Sequence, residues 1–284
     1  MLGIGTALIT WRGPRRTTAA NAVITGAGSG IGRAFALELA RRGGQIVCAD
    51  INLERAAETV ALIEALPSGT GHAVQCDVSD RAAVELLAKQ AQQIFDGPPT
   101  LVINNAGVGI GGKPVGDIGF DDWDWALGIN LWGVVYGCEL FTPMLREAGR
   151  GGIINVASAA GFAAAPSMAA YNVSKAAVMS LSETLSAELA GTGVAITVLC
   201  PTFVKTNVFT DGRITPASMN LSQQLARLTG LSADDVAVRT LDAHDRGRLY
   251  VVPQLDATVI WHLKRHFPAL YVRGAGLLGR VLPS

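Results

Sequence analysis

The chain predicts an α/β fold, a doubly wound parallel sheet of about seven strands with helices on both faces. Three observations carry this. Short apolar runs alternate with longer segments of helical composition, the pattern of βα units joined by right-handed crossovers. A glycine-rich turn, Thr25-Gly26-Ala27-Gly28-Ser29-Gly30-Ile31-Gly32, stands between the first run and the first helix. Gly26, Asp50, Asp77, Asn104, Ser158 and Pro201 all fall at the carboxyl ends of runs. Open α/β sheets bind their ligands along that rim.

Length and composition fit one core domain over residues 21–255, with an extension at 1–20 and a basic amphipathic one at 256–284. The 284 residues are 49% hydrophobic and 16% charged, so a packed core is expected. Basic and acidic residues balance at 23 each, which argues against nucleic acid as a partner. Cys48, Cys76, Cys138 and Cys200 are widely spaced, with no zinc-type cluster. They read as reduced core thiols of a cytoplasmic protein. The apolar piece Leu2 to Trp11 precedes Arg12, Arg15 and Arg16, the reverse of a secretory signal, and no apolar run reaches spanning length.

Taken in order, Ala22 to Thr25 is a short buried strand that Gly26 ends. The glycine turn then enters a helix running to Arg42. Glycines permit a tight turn and let backbone N–H groups approach a pyrophosphate at the helix N-terminus. The second strand, Gln45 to Ala49, ends at Asp50. A carboxylate there accepts hydrogen bonds from the adenosine ribose of NAD and repels the 2′-phosphate of NADP. Its neighbours Ile51 and Asn52 are not basic, nor is Ser29. Helix 53–66, strand 72–76 and helix 80–95 follow, with Asp77-Val78 at the strand end. Strand 100–103 leads into Asn104-Asn105-Ala106-Gly107 and a glycine-rich loop, 108–119. One long helix is expected from Phe120 to Leu145, with Asn130 in its middle. Strand 152–156 ends at Ala157-Ser158, before a loop of small residues. A helix from Met168 to Leu189, strand 195–199, helix 232–244 and strand 249–252 complete the pattern. Residues 202–230 show no clean period.

Tyr171 and Lys175 lie four residues apart, on one face of their helix. A cation beside a phenol favours the phenolate, which brings proton exchange nearer neutral pH. A surface Tyr with a solvated Lys is the bland alternative, and the surrounding motifs weigh against it.

Over about residues 20–255 the chain resembles the short-chain dehydrogenase/reductase family, in which these motifs occur in this order. They are the glycine turn, Asp50, Asp77-Val78, Asn104-Asn105-Ala106-Gly107, Asn130, Ser158, Tyr171 with Lys175, and Pro201-Thr202-Phe203-Val204-Lys205-Thr206. The departure is Thr202, where the family usually has Gly. The resemblance implies a Rossmann-fold oxidoreductase and a homodimer or homotetramer. It implies Tyr171 as general acid/base, and Lys175 binding the nicotinamide ribose and lowering the phenol's pKa with help from the positive nicotinamide ring. Ser158 would hold the substrate oxygen, and Asn130 would anchor a water leading from Lys175 to solvent. For the cofactor it implies Gly26, Ser29, Gly30, Ile31 and Gly32 at the phosphates, and Asp50 and Ile51 at the ribose. Asp77 and Val78 would sit at the adenine, with Asn104, Ala106 and Gly107 beside the adenosine ribose. Pro201, Val204 and Thr206 would flank the nicotinamide, alongside Tyr171 and Lys175.

The expected substrate lining is Val108, Ile110, Ala159, Ala160, Gly161, Phe162, Phe203 and residues near 204–225. It is apolar, with only Lys113 and Lys205 as nearby cations. A bulky hydrophobic secondary alcohol or ketone fits it, with NAD as cofactor in preference to NADP. An oxoacyl-carrier reductase and a non-catalytic dinucleotide sensor are the alternatives. The tail from Ala257 to Ser284 carries Lys264, Arg265, Arg273 and Arg280 and no acidic residue. It reads either as a helix packed on a neighbouring subunit or as an element lying on a membrane surface.

Overall fold

The structure is a computed structural model that describes residues 15–204 and 212–281. Its strands are β1 (Asn21–Thr25), β2 (Gln45–Asp50), β3 (Thr70–Gln75), β4 (Leu101–Asn104), β5 (Ile110–Gly111), β6 (Gly151–Val156), β7 (Val194–Leu199), β8 (Arg213–Ile214) and β9 (Tyr250–Val251). Seven of them form one parallel sheet in the order β3-β2-β1-β4-β6-β7-β9. β5 and β8 pair separately. The strand order reverses between β1 and β4, which opens a crevice at the carboxyl edge. β4 and β6 are buried at every residue, as parallel strands covered on both faces must be.

The helices are α1 (Gly30–Arg41), α2 (Leu53–Glu64), α3 (Arg81–Phe95), α4 (Phe120–Leu127), α5 (Gly133–Ala148), α6 (Ala160–Ala163), α7 (Ala169–Glu188), α8 (Pro216–Thr229), α9 (Ala233–Asp245), α10 (Leu255–His266) and α11 (Pro268–Val281). Alternate strand residues feed two cores. Ile24, Ile46 and Ile103 face Phe35 and Leu39 of α1, Ile63 of α2 and Leu241 of α9. Val23, Val47 and Val102 face Leu87 of α3, Phe141 of α5 and Val178 of α7. Phe35 and Leu39 are one turn apart and fully buried, and each stabilises the fold by roughly 2–3 kcal/mol. Side-chain caps fix three helix starts: Asn52 accepts from Arg55 N, Asp80 from Ala82 N and Ser232 from Asp235 N.

Several expectations change. The predicted helix 120–145 is two helices joined by a π turn at Gly128–Trp132. The chain must pass tightly there, because a Cβ on Gly133 would lie 2.8 Å from Val78 Cγ2. The small-residue loop after Ser158 contains the one-turn α6. Residues 216–229, without a clean hydrophobic period, form α8; its start signal is Thr215 followed by Pro216 at the first helical position.

Both extensions touch the core. Thr17 is fully buried, and its backbone N and Oγ1 both donate to the Asp245 carboxylate, at 3.0 and 2.8 Å. Arg42 bonds Thr17 Oγ1 at 2.8 Å and pairs with Asp242. The tail is two helices broken at Phe267-Pro268. Proline lacks the N–H that a continuing helix needs. Ala257 is buried, and Trp261 packs edge-on against Phe162 and Tyr250. Among the described residues no helix is long and apolar enough to cross a membrane.

Candidate active site

The glycine turn between β1 and α1 meets the ends of β2 and β4. Gly26 has φ +64°, and a Cβ there would sit 2.8 Å from Ala106 Cα. Gly28 N donates to Asp50 Oδ2 at 2.9 Å, so a Cβ at 28 would strike the same carboxylate. Asp50 Oδ1 accepts from Asn52 N at 3.0 Å. Ser29 holds the N-cap position of α1 without a side-chain capping bond. The first-turn N–H groups beyond it form the electropositive end that suits a phosphate. Asn105 joins the two turns. Its Nδ2 donates to Thr25 O and Gly26 O at 2.9 and 3.1 Å, while its backbone N donates to Thr25 Oγ1.

A cleft of about 400 Å³ runs along this rim. Gly26, Ser29, Gly30, Ile31, Asp50, Ile51, Asp77 and Val78 line one end, together with Arg55. Ser158, Tyr171, Lys175, Pro201 and Val204 line the other, and Ala106 and Gly107 lie along it. Asp77 Oδ1 accepts from both the N and Oγ of Ser79, which fixes the turn after β3.

At the Tyr171 end of the cleft, Ser158 follows β6. Its Oγ donates to Pro201 O at 3.3 Å and accepts from Ala160 N at 3.1 Å. Lys175 Nζ lies 5.8 Å from the centre of the Tyr171 ring and donates to Val156 O at 3.0 Å. Burial pushes the lysine down to about 8, a loss that Cys200 offsets only in part. Burial also pushes the Tyr171 phenol up, and the neighbouring Ser158 hydroxyl opposes that shift. The expected lowering of the phenol by Lys175 is therefore absent from the balance of this chain's own groups. Desolvation is the largest cause of the shift at both side chains. Burial raises all four cysteine thiols to about 12, which leaves them protonated.

Asn130 sits within the π turn. Its Oδ1 accepts from Val108 N at 2.8 Å and its Nδ2 donates to Val108 O at 2.9 Å. The side chain thus positions the backbone beside Gly107. A Cβ on Gly107 would lie 3.0 Å from Asn130 Oδ1 and 3.3 Å from Lys175 Nζ.

Two cofactor assignments change. Asn104 does not line the cleft; it is buried and donates to Asn155 Oδ1 at 2.8 Å. Neighbouring residues of an extended segment face opposite ways, so Asn105 takes the rim. Gly32 lies behind the turn, where a Cβ would meet Gly26 O at 2.1 Å; its part is close packing. Thr206 and Lys205 lie outside the described residues.

The substrate lining also differs. Val108 lines the cleft, but Phe162 and Ala159 belong to the core, and Gly161 is pressed against the backbone of Lys175. Ile110 packs with Ile118, Ala126 and Ala170. Trp125 and Ile129 supply apolar wall instead. They come from the helix ahead of Asn130, and Trp125 and Ile129 are one turn apart on it. Arg55 escaped notice because it is five positions beyond Asp50, in the first turn of α2.

The profile of the short chain dehydrogenase family matches residues 20–216. The chain is 32% identical over 261 residues to C alpha-dehydrogenase of Sphingobium sp., covering 88% of this chain and 84% of that one. It is 44% identical over 186 residues to the protein named "Probable oxidoreductase EphD" of Mycobacterium tuberculosis. That match takes in 65% of this chain but spans only 31% of EphD. Among solved structures, a short chain dehydrogenase/reductase of Burkholderia phymatum in complex with NAD superposes with a TM-score of 0.81. It is 36% identical, over 90% of this chain and 96% of that one. With the seven-stranded parallel sheet, these matches identify the chain as a member of the short-chain dehydrogenase/reductase family.

Proposed function

We propose that the chain interconverts a hydrophobic secondary alcohol and its ketone, with NAD as cofactor. The observation that carries this reading is one continuous cleft with Asp50 at one end and Ser158, Tyr171 and Lys175 at the other. The residues present fit a dinucleotide. The turn at Gly26 and Gly28 has no room for a Cβ, and α1 presents its N-terminus. When bound, the nicotinamide supplies the hydride acceptor. Ser158 holds the substrate oxygen by a hydrogen bond. Tyr171 takes the hydroxyl proton as the carbonyl forms, and returns one in the reverse direction. Lys175 would hold the cofactor's ribose, while Asn130 keeps the Val108 backbone in place.

Trp125, Ile129, Val108 and Val204 give the substrate end an apolar wall, which supports a hydrophobic substrate. NAD is supported by the Asp50 carboxylate beside the exposed Ile51, and by the NAD complex of the Burkholderia relative. One observation favours a second reading, NADP: Arg55 lines the same end of the cleft, and a guanidinium suits a 2′-phosphate. A panel of hydrophobic secondary alcohols and 3-oxoacyl thioesters, assayed with each cofactor by reduced-nicotinamide absorbance, tests both points. Higher kcat/KM with NAD and an aryl or alicyclic alcohol is expected. A preference for NADP, or for the thioesters, replaces the corresponding part.

A further inference from the structure

We infer that α10 and α11 form a docking surface for an anionic lipid bilayer. α10 is amphipathic in an unusual sense, because it has an apolar stripe on each side. Ala257 and Trp261 face the protein. Leu255, Val259, Leu263 and Phe267, spaced four residues apart, stand on the outside and are 42–80% exposed. Leu270 and Leu277, two turns apart on α11, are exposed as well. Exposed apolar side chains in this number, left in water on two successive helices, are the mark of an interaction surface.

Charge selects the occupant. Residues 257–284 hold Lys264, Arg265, Arg273 and Arg280 and no acidic side chain. The chain's 23 basic and 23 acidic residues balance overall, so everything before the tail carries a net charge of −4. A second copy meeting this face about a two-fold axis would bring together two tails that carry cations and no acidic residue. An anionic lipid surface takes the apolar side chains among its acyl chains and the cations among its headgroups. Neither helix has the length or apolarity to cross, so the pair lies on the surface.

The surface is tied to the substrate side of the molecule. Trp261 packs edge-on against Phe162 of α6, with ring centres 4.9 Å apart. A Cβ on Gly279 would lie 3.1 Å from Pro166, in the segment that leads into α7 and Tyr171. A bilayer under α10 and α11 therefore lies next to the segments that frame the catalytic end of the cleft.

The test is co-sedimentation of the full chain with phosphatidylcholine vesicles, with and without phosphatidylglycerol, at low and high salt. The full chain is expected to sediment with the anionic vesicles and to be released by salt. The exposed-site variant Leu263→Glu/Phe267→Glu/Leu270→Glu, and separately Arg265→Glu/Arg273→Glu, should each weaken binding at least tenfold. Both should keep the wild-type melting temperature and NADH affinity, since none of these side chains packs in the core. Equal binding by the variants, or no binding to anionic vesicles, overturns the proposal. So does a shift from dimer to monomer in the triple variant with vesicle binding unchanged. NADH affinity is read separately, so failure of lipid docking and failure of the dehydrogenase reading are distinguishable.

Discussion

The two ends of the cleft are built in different ways. At the nucleotide end, the ends of β1, β2 and β4 are sewn to one another by Asp50, Thr25 and Asn105, through bonds of 2.9–3.1 Å to backbone groups. At the substrate end, the loop after β4 meets the segment before α8 through the two-residue pair β5 and β8. Asp122 adds ion pairs to Lys113 and Arg213 at 3.0 and 2.8 Å, and the Arg213 guanidinium caps the Trp125 ring at 4.3 Å. Both cations are about half exposed, so each pair is worth well under about 1 kcal/mol. One end fixes a single shape for a single kind of ligand. The other is fastened at its surface by two exposed ion pairs.

The strongest break in this comparison is chemical. Tyr171→Phe removes the proton carrier and keeps the ring, so turnover should fall by about 10²–10⁴, while NADH affinity stays within about threefold. Single-turnover kinetics and NADH fluorescence titration read the two quantities. Retained turnover would remove Tyr171 from the mechanism.

Lys175 belongs to the Ser158 and Tyr171 end of the cleft, and its burial has a sign. Unfolded, the lysine keeps its proton to about pH 10.5. Folded, it releases it at about 8. The unfolded state therefore binds more protons between those values, and this group's penalty is full below pH 8 and relieved as pH rises. Lys175→Met should raise stability at pH 7 by up to about 3 kcal/mol while destroying turnover. The advantage should shrink between pH 8 and 10, as read by urea denaturation across that range. A pH-independent difference would contradict the assignment.

At the nucleotide end, Gly28→Ala places a methyl 2.7 Å from Asp50 Oδ2 and Arg55 Cβ. Overpacking of about 1–3 kcal/mol should lower NAD affinity ten- to a hundredfold, with little change in substrate KM at saturating NAD. Calorimetric titration would show it. The smallest effect belongs to the substrate end. The Arg213 hydrogen bond, then that of Lys113, holds the Asp122 carboxyl below its usual range. Asp122→Asn should raise substrate KM by about threefold and leave NAD affinity unchanged. The reverse pattern would show that the clasp serves the cofactor.

The sequence was most legible where physics leaves few options. Strands covered on both faces read as unbroken apolar runs, and the glycine turn announces itself because no side chain fits there. Tyr171 and Lys175 share a face by helical geometry alone. Legibility failed where one residue decides a direction. Asn104 and Asn105 are chemically identical, and only the pleat tells which one enters the core. The π turn at Asn130 leaves the hydrophobic period intact, so the helix reads as continuous. The walls supplied by Trp125 and Ile129 depend on how a loop folds back, and local pattern carries no record of that.

Because β1 lies between β2 and β4, its first neighbour arrives about 20 residues later in the chain and its second about 80. The outermost catalytic-side strand, β9, comes later still. During synthesis the β1–β2 lobe has its partners once β4 emerges, whereas the rim with Ser158, Tyr171 and Lys175 must wait for β6 and α7. Loop-closure entropy makes the late pairings the slow ones. An assembling molecule would thus acquire the means to grip a nucleotide before it acquires the means to use one.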